Sequence, residues 1–311
     1  MKKKIILTGG AGLVGQNLIP KLKESGFNTL IVIDKHERNS GILQATHEDV
    51  ICICADLAES GSWQDVFSGA DAVVMLQAQI GGLNHVEFER NNIASTKLIL
   101  AAMAEHGVKK LVHVSSSVVN SMAKDAYSLT KSAQERIVTT QYPDAIILRP
   151  TLMFGWFDRK HLGWLSRFMR KVPLFPIPGN GKYLRQPLYA GDFAKIILSC
   201  LMNPIQAGTY DVSGLSKITY IDLIRQVKEA SGARVTLVRI PYSLFYFLLW
   251  LWALFDRNPP FTTQQLAALV LPEEFPTTDW EKDFKVEATQ LAVALEETFQ
   301  HPVYSQIELK F

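Results

Sequence analysis

The fold is decided by residues 3–15, KKIILTGGAGLVG, and by residues 29–34, TLIVID. The apolar run at residues 5–7 predicts a buried strand, the glycines predict a tight turn, and the residues after Gly15 predict a helix. A second strand follows and ends at Asp34. Strand, glycine turn, helix, strand and acid in this order and spacing are the fingerprint of a dinucleotide-binding unit.

The glycines of the turn have different predicted roles. Gly9 permits the tight turn, Gly12 lets the backbone approach a pyrophosphate, and Gly15 allows the helix to pack closely on the strand. The helix N-terminus offers free N–H groups and the positive end of the helix dipole to the phosphates. The predicted phosphate contacts are therefore Gly9, Gly12, Leu13, Val14 and Gly15.

Asp34 decides which dinucleotide is expected. Its carboxylate can accept hydrogen bonds from the free ribose hydroxyls of NAD, whereas it would repel the 2′-phosphate of NADP. Lys35 and Arg38 follow closely, and a cation nearby can host that phosphate, so NADP stays open as the alternative. We expect NAD.

Composition places the chain among ordinary globular proteins. Of its 311 residues, 48% are hydrophobic and 20% are charged, which provides enough apolar surface for a core. The formal net charge is +2 and no basic block stands out, so we expect no nucleic-acid partner. A lysine run at residues 2–4 precedes apolar residues as in a secretory signal. We expect no signal peptide, because the glycine fingerprint overlaps that stretch and no cleavage site follows.

The cysteines and histidines predict no metal site. Cys52, Cys54 and Cys200 form neither a ligand set nor a disulfide framework, and the seven histidines show no metal-ligand spacing. Free cysteines favour the reducing cytoplasm, which is the expected location. Cys52 and Cys54 alternate along an apparent strand, which predicts that they lie on a buried face.

Strands alternate regularly with helices as far as residue 150. Apolar runs at residues 49–54, 71–76, 110–114 and 145–149 predict four more strands, with helices over residues 86–106 and from about Lys124. This alternation predicts an α/β fold, a Rossmann-type doubly wound parallel sheet, over residues 1–150. Ligands bind at the carboxyl ends of such strands. Asp56 is placed to meet the adenine amino group, with an ordinary turn aspartate as the alternative.

The chain after residue 150 has a different composition. Prolines and aromatics become frequent, so we expect residues 151–311 to form a smaller region that covers the substrate, with residues 186–189 and 209–212 returning to the sheet. Residues 241–255 carry no charge and are too few to span a membrane, which needs about 20 apolar residues. A buried core helix is one interpretation. Peripheral membrane contact through Tyr and Trp is the other.

The second chemical signal is Tyr127-Ser-Leu-Thr-Lys131, just after three serines at the carboxyl end of the fifth strand. Residues four apart on a helix share a face, so the phenol and the ammonium are expected in one pocket. A nearby cation lowers the pKa of tyrosine from about 10, which makes the phenolate accessible as a general base. A serine of the cluster is placed to hydrogen-bond the substrate oxygen that Tyr127 deprotonates.

These motifs resemble those of the extended short-chain dehydrogenases/reductases, in the nucleotide-sugar epimerase/dehydratase group. The resemblance covers nearly the whole chain and rests on residues 8–15, 56–57, 92–96, 115–117, 127–131, 148–150 and 185–192. It implies that Tyr127 is the catalytic acid/base, and that Lys131 tunes it and holds the nicotinamide ribose. The cofactor contacts implied beyond the glycine turn and Asp34 are Asp56, Leu57, Gln77, Lys131 and Pro150.

The resemblance also implies the substrate side of the site. Ser117 corresponds to the substrate-binding serine, with Ser116 as the close alternative, and Asn92 corresponds to the supporting asparagine. Arg185 stands where relatives clamp a substrate diphosphate, and a solvated loop arginine is the alternative. The chain departs from the family in the short separation of Ser117 from Tyr127, in Thr151 and Leu152 where relatives carry an asparagine, and in Gln77 and Gln79 where they carry small apolar residues.

The expected function is that of an NAD-dependent sugar epimerase acting on a nucleotide- or lipid-diphosphate-linked sugar through a transient ketone. A one-way dehydrogenase or reductase of a sugar or sterol-like alcohol is the first alternative, and a non-catalytic NAD-binding assembly or sensor subunit is the second. Relatives commonly pair through two helices, here those of Asn92 and Tyr127, so a homodimer is expected. The expected location is cytoplasmic, with the inner face of the membrane as the alternative.

Overall fold

The computed structural model describes residues 3–82, 84–121, 125–255, 262–271 and 275–309. The strands, in chain order, are β1 (Lys4–Thr8), β2 (Thr29–Asp34), β3 (Ile51–Cys54), β4 (Ala72–Met75), β5 (Lys110–Val114), β6 (Ile146–Pro150), β7 (Met153–Phe154), β8 (Leu174–Pro178), β9 (Leu184–Arg185), β10 (Leu188–Tyr189), β11 (Gly208–Val212), β12 (Ile218–Thr219) and β13 (Thr236–Ile240). The helices are α1 (Leu13–Glu24), α2 (Glu37–Thr46), α3 (His85–Phe88), α4 (Ser95–Glu105), α5 (Ala126–Gln141), α6 (Leu162–Met169), α7 (Ala190–Met202), α8 (Tyr220–Ser231), α9 (Tyr242–Ala253), α10 (Thr263–Val270), α11 (Trp280–Phe284) and α12 (Leu291–Gln300).

The core of the molecule is a seven-stranded sheet in which every pair of neighbours is parallel, in the order β11-β6-β5-β4-β1-β2-β3. Chain order reverses at β1, which lies between β2 and β4. Open parallel sheets bind ligands at the carboxyl ends of the strands beside such a reversal. The predicted doubly wound α/β sheet is confirmed.

Both faces of the sheet are covered by apolar helix faces. Alternate residues of each strand point to opposite faces, so Ile5 and Leu7 pack with α1 and α7, whereas Ile6 packs with α4 and α5. Burial of this kind contributes about 25 cal/mol per Å² of apolar surface, and the strands are apolar because both their faces are covered.

The predicted burial of Cys52 and Cys54 is wrong for Cys54, which is exposed, and Cys52 is only half-buried. The reason is the position of β3 at the edge of the sheet, where it pairs with β2 alone among the described strands. Alternation along a strand shows that two side chains share a face, but it does not show how deep the strand lies.

The helix predicted over residues 86–106 is continuous but not uniform. It begins as α3, passes through a π-helical turn at Glu89–Ala94 and continues as α4. Such turns are rare and occur often at functional sites. The helix predicted from about Lys124 begins at Ala126, where the Asp125 carboxylate caps it by accepting from the Ser128 N–H at 2.8 Å. Lys124 itself lies outside the described residues.

The chain after residue 150 both completes the sheet and forms a second core. The segment predicted over residues 209–212 is β11, which joins the main sheet beside β6. The segment predicted over residues 186–189 does not reach that sheet, because β10 pairs with β7 in a separate two-stranded ladder. A third apolar cluster gathers side chains of α6, α8 and α12 with those of β8, and β8 pairs in parallel with β13.

Residues 241–255 contain α9 (Tyr242–Ala253), and the interpretation of this stretch as a buried core helix is wrong. None of the twelve residues of α9, all of them described, is buried. Within the described ranges, no helix combines the length and the apolar character needed to cross a membrane.

Candidate active site at the carboxyl end of the sheet

The glycine turn has the geometry that its sequence predicts. Gly9 has φ +69°, a left-handed conformation that favours glycine. A Cβ on Gly15 would lie 2.1 Å from the Gly10 carbonyl oxygen, so only glycine lets α1 pack this closely on the turn. A Cβ on Gly12 would meet only the Gly9 carbonyl oxygen, at 3.5 Å, and the backbone is therefore open to a ligand on that side.

The residues around this turn fit a dinucleotide. Gly12 caps α1 without a side chain, which leaves the first N–H groups of the helix directed at the turn. Asp34 is buried, and its carboxylate accepts hydrogen bonds from the Ala11 N–H and the His36 N–H, each at 3.0 Å. The Gln77 side-chain oxygen accepts a hydrogen bond from the Thr8 hydroxyl at 2.7 Å, whereas the buried Gln77 amide nitrogen has no partner among the described residues. An unpaired buried donor beside the turn is the type of group that a ligand satisfies.

The other predicted cofactor residues contribute differently. The Asp56 carboxylate accepts from the Ala58 N–H at 2.9 Å and lies 3.0 Å from the Arg90 guanidinium, so its oxygens are already engaged. Leu57 is buried in the core cluster between the sheet and α4. Pro150 ends β6 beside Val212. The adenine contact predicted at Asp56 therefore stays a prediction that relies on neighbouring backbone.

Tyr127 lies in the first turn of α5, and the Ser116 side chain is close enough to its phenol to affect the pKa. The structure thus brings the alternative serine to the phenol, whereas Ser117 opens the short 3₁₀ turn Ser117–Asn120. The expected lowering of the Tyr127 pKa is wrong. Burial raises the pKa, the Ser116 hydroxyl opposes that rise, and the Asp125 carboxylate adds to it.

Lys131 explains this difference. Its side chain is completely buried, and Nζ donates to the Val114 carbonyl oxygen at 3.0 Å and to Gln134 Oε1 at 2.5 Å. The ammonium is therefore directed at the end of β5 and not among the groups that shift the phenol. Burial lowers the pKa of Lys131 to about 7, and the Glu135 carboxylate opposes that change.

Asn92 joins three parts of the site. Its Oδ1 accepts from the Gln79 N–H at 2.8 Å, and its Nδ2 donates to the Thr130 hydroxyl at 3.0 Å. This bridge connects the loop after β4 to α5, at the residue next to Lys131. Asn92 has this reach because it lies in the buried π-helical turn. Its contacts are those of a residue that positions α5.

Two residues of the site escaped the sequence analysis. Gln134 binds Lys131 and also donates to the Thr96 hydroxyl at 2.7 Å, and its position three residues after Lys131 on a helix is the signal that could have found it. His113 is completely buried on β5, and both of its ring nitrogens lack a hydrogen-bond partner among the described residues. Burial, and secondarily the Lys131 charge, hold the His113 pKa well below its usual value. No pattern in the sequence marked it.

Arg185 lies in the covering region and is buried, so its interpretation as a solvated loop arginine is wrong. Its guanidinium donates to the carbonyl oxygens of Leu269 and Leu271 at the end of α10 and packs 4.9 Å from the centre of the Tyr183 ring. The predicted clamp on a substrate diphosphate stays a prediction, and it requires the guanidinium to leave these carbonyls. In the described part of the chain, no cluster of three metal-ligating side chains occurs.

Comparisons with known proteins identify the family of the chain. Residues 5–213 match the model of the NAD dependent epimerase/dehydratase family. The chain is 27% identical over 308 residues to the mitochondrial NADH dehydrogenase [ubiquinone] 1 alpha subcomplex subunit 9 of Rattus norvegicus, covering 95% of this chain and 80% of that protein. It is 24% identical over 272 residues to the dTDP-glucose 4,6-dehydratase of Streptomyces niveus, covering 76% of this chain and 80% of that protein.

Among solved structures, the UDP-glucuronic acid 4-epimerase of Bacillus cereus in complex with NAD has the same fold. Its TM-score is 0.72 at 19% identity, covering 96% of this chain and 98% of the epimerase. The family is NAD-dependent, which confirms NAD as the expected cofactor. Since the family model spans most of the chain, the protein belongs to the NAD-dependent epimerase/dehydratase family.

Proposed function

We propose that the protein is an NAD-dependent epimerase of a sugar carried on a diphosphate. The observation that carries the proposal is the placement of Tyr127, beside Ser116 at the carboxyl end of β5 and one helical turn from the buried Lys131. This arrangement exchanges a proton with a substrate oxygen at the edge where the sheet binds ligands. Bound NAD supplies the complementary chemistry, taking up a hydride and returning it.

The residues of the chain have distinct roles in this reaction. Tyr127 takes the proton of the sugar hydroxyl as the ketone forms and gives it back after the ring has turned over. Ser116 holds that oxygen in place. Burial favours the neutral phenol, so Tyr127 is ready to donate a proton. The opposite direction, in which Tyr127 accepts a proton, requires the phenolate, and Lys131 Nζ would favour it only by turning from the Val114 carbonyl oxygen towards the phenol. Asn92 fixes the position of α5 through Thr130.

A one-way reductase is the second candidate, and Arg185 favours it. Its guanidinium is engaged by the carbonyl oxygens of Leu269 and Leu271, and this leaves the substrate diphosphate without the predicted clamp. Thr151 and Leu152 stand where diphosphate-sugar enzymes of the family carry an asparagine. A neutral Tyr127 also suits proton donation to a carbonyl.

A non-catalytic subunit is the third candidate, and it is suggested by similarity to the mitochondrial NADH dehydrogenase subunit. Against it stand Tyr127 and Lys131, since a purely structural protein has no need of a buried lysine one turn from a half-buried phenol. Charged groups are rarely buried without a function or a partner.

One experiment separates the three candidates. The purified protein is denatured, its released cofactor is identified by mass spectrometry, and the intact protein is incubated with a panel of UDP- and dTDP-sugars without added cofactor. Retained NAD with interconversion of sugar epimers supports the epimerase. Conversion that consumes added NADH in equal amount identifies a reductase. Retained NAD with turnover of neither kind would point to the subunit role.

A further inference from the structure

The surface of α9 is apolar on every side. Residues 241–255 contain no charged side chain, and only Phe245 and Leu249, four residues apart, turn a half-buried face to the protein. The opposite face is formed by Phe247 and by the residues three, four and seven positions after it, Trp250, Leu251 and Leu254. All four are exposed. Soluble proteins rarely expose a contiguous apolar patch of this kind unless something covers it.

Two segments of the chain, one that contains β8 and one that leads into α9, carry cations and no acids. Residues 159–191, which include β8, contain seven Lys and Arg residues and no Asp or Glu, and residues 230–255 contain two Arg and again no Asp or Glu. Two of these cations lie next to α9. Lys182 and Tyr242 line one cleft of about 470 Å³ at the start of the helix, and exposed Arg239 lies on β13, shortly before it.

We infer that α9 docks on an anionic lipid surface. The exposed face would enter the boundary between headgroups and acyl chains, where Tyr and Trp are favoured, and Lys182 and Arg239 would meet the anionic headgroups. The helix is about 18 Å long at 1.5 Å per residue, so it lies in the interface instead of spanning the bilayer.

Charge distinguishes this occupant from a second copy of the chain. A twofold interface would set this patch, with Lys182 and Arg239 at its edge, against an identical patch, and residues 159–191 and 230–255 offer these cations no carboxylate. Like charges facing each other at an interface are unfavourable, whereas anionic headgroups neutralise them. The complementary partner is the lipid surface. This inference holds whichever reaction the protein catalyses.

The test uses flotation of the full-length protein with two kinds of vesicle, phosphatidylcholine alone and phosphatidylcholine with an equal part of phosphatidylglycerol. We expect the wild-type protein to float with the anionic vesicles and less with the neutral ones. Trp250→Glu should reduce the affinity at least about tenfold for both kinds, because a charge replaces buried apolar surface. Lys182→Ala and Arg239→Ala should each weaken binding about fivefold for anionic vesicles alone.

The matched control is Val293→Glu on α12, since Val293 is 51% exposed and Trp250 is 49% exposed. It adds the same charge at similar exposure outside α9 and should bind as the wild-type protein does. The inference is overturned if the wild-type protein floats with neither kind of vesicle, or if Trp250→Glu floats with the vesicles to the same extent as the wild-type protein. It is also overturned if light scattering shows a dimer that Trp250→Glu converts to monomers, which would make α9 an interface between copies.

Discussion

The charged form of Lys131 is unfavourable in the folded protein, because its side chain is completely buried and excluded from water. Burial lowers its pKa to about 7, whereas a lysine in an unfolded chain titrates near 10.4. Between these values the unfolded chain binds one more proton than the folded chain, so this residue makes the stability rise with pH from about 7 to 10. The slope approaches about 1.4 kcal/mol per pH unit.

Lys131→Met should remove this contribution in the protein stripped of NAD. The free energy of unfolding, measured in urea at several pH values between 7 and 10, should rise more steeply for the wild-type protein than for the variant. The comparison cancels other groups that titrate in the same window. Parallel curves would mean that Lys131 is charged in the folded protein throughout, in contradiction to its burial.

Asp34 should determine the choice of dinucleotide. It is buried at the end of β2, where its carboxylate also receives the Ala11 N–H of the glycine turn. We expect Asp34→Ala to lower the affinity for NAD by about 1–3 kcal/mol, the range for leaving buried donors unpaired. Isothermal titration with NAD and NADP measures this, and tighter binding of NADP by the wild-type protein would refute the assignment to the free ribose.

The positions of Tyr127, Ser116 and Asn92 were predictable because each follows from local spacing: a helix face, a strand end and a motif. The bond of Lys131 to Val114 was not, because spacing along α5 does not say which way a flexible four-carbon side chain turns. The sequence therefore predicted that Tyr127 lies beside the serine cluster, but it favoured Ser117 over Ser116 and did not predict the direction in which the Tyr127 pKa moves.

At the scale of single elements, α9 and β3 show that the periodicity of a sequence does not determine how deeply an element is buried. A run that is apolar at every position has no polar face, so its pattern cannot tell a covered helix from an exposed one. The alternation along β3 has the same weakness, because the edge position of a strand depends on the order of the sheet and not on its own residues. How deeply a helix or strand is buried depends on how the elements pack together and not on its own residues.

The C-terminus of α10 should depend on Arg185. Its guanidinium binds the Leu269 and Leu271 carbonyl oxygens, which otherwise lack partners at a helix end. Arg185→Lys keeps the charge but loses the planar fork, so amides of residues 263–271 should exchange hydrogen faster. Lys182→Ala is the control for a nearby exposed cation and should leave exchange in α10 unchanged. Equal protection in Arg185→Lys and the wild-type protein would show that other contacts hold α10.

At the scale of the whole molecule, the sheet was predictable and the covering region was not. The strands and helices of residues 1–150 alternate with local signals that fix both type and order. The covering region is built from contacts between distant residues: Arg185 binds carbonyls 84 and 86 positions away. The Gln186 side-chain oxygen likewise accepts from the Phe275 N–H, 89 positions away. No window of sequence contains such pairs.

The central claim is that Tyr127 exchanges the proton in an NAD-dependent reaction, and Tyr127→Phe tests it most directly. The variant removes one oxygen atom from a half-buried ring, so NAD content and the melting temperature should stay close to those of the wild-type protein. Turnover of the substrate found in the nucleotide-sugar panel should fall about 10²–10⁴-fold, and the loss should appear in kcat. Near-normal turnover by Tyr127→Phe, with NAD still bound, would contradict the account and place the active site elsewhere.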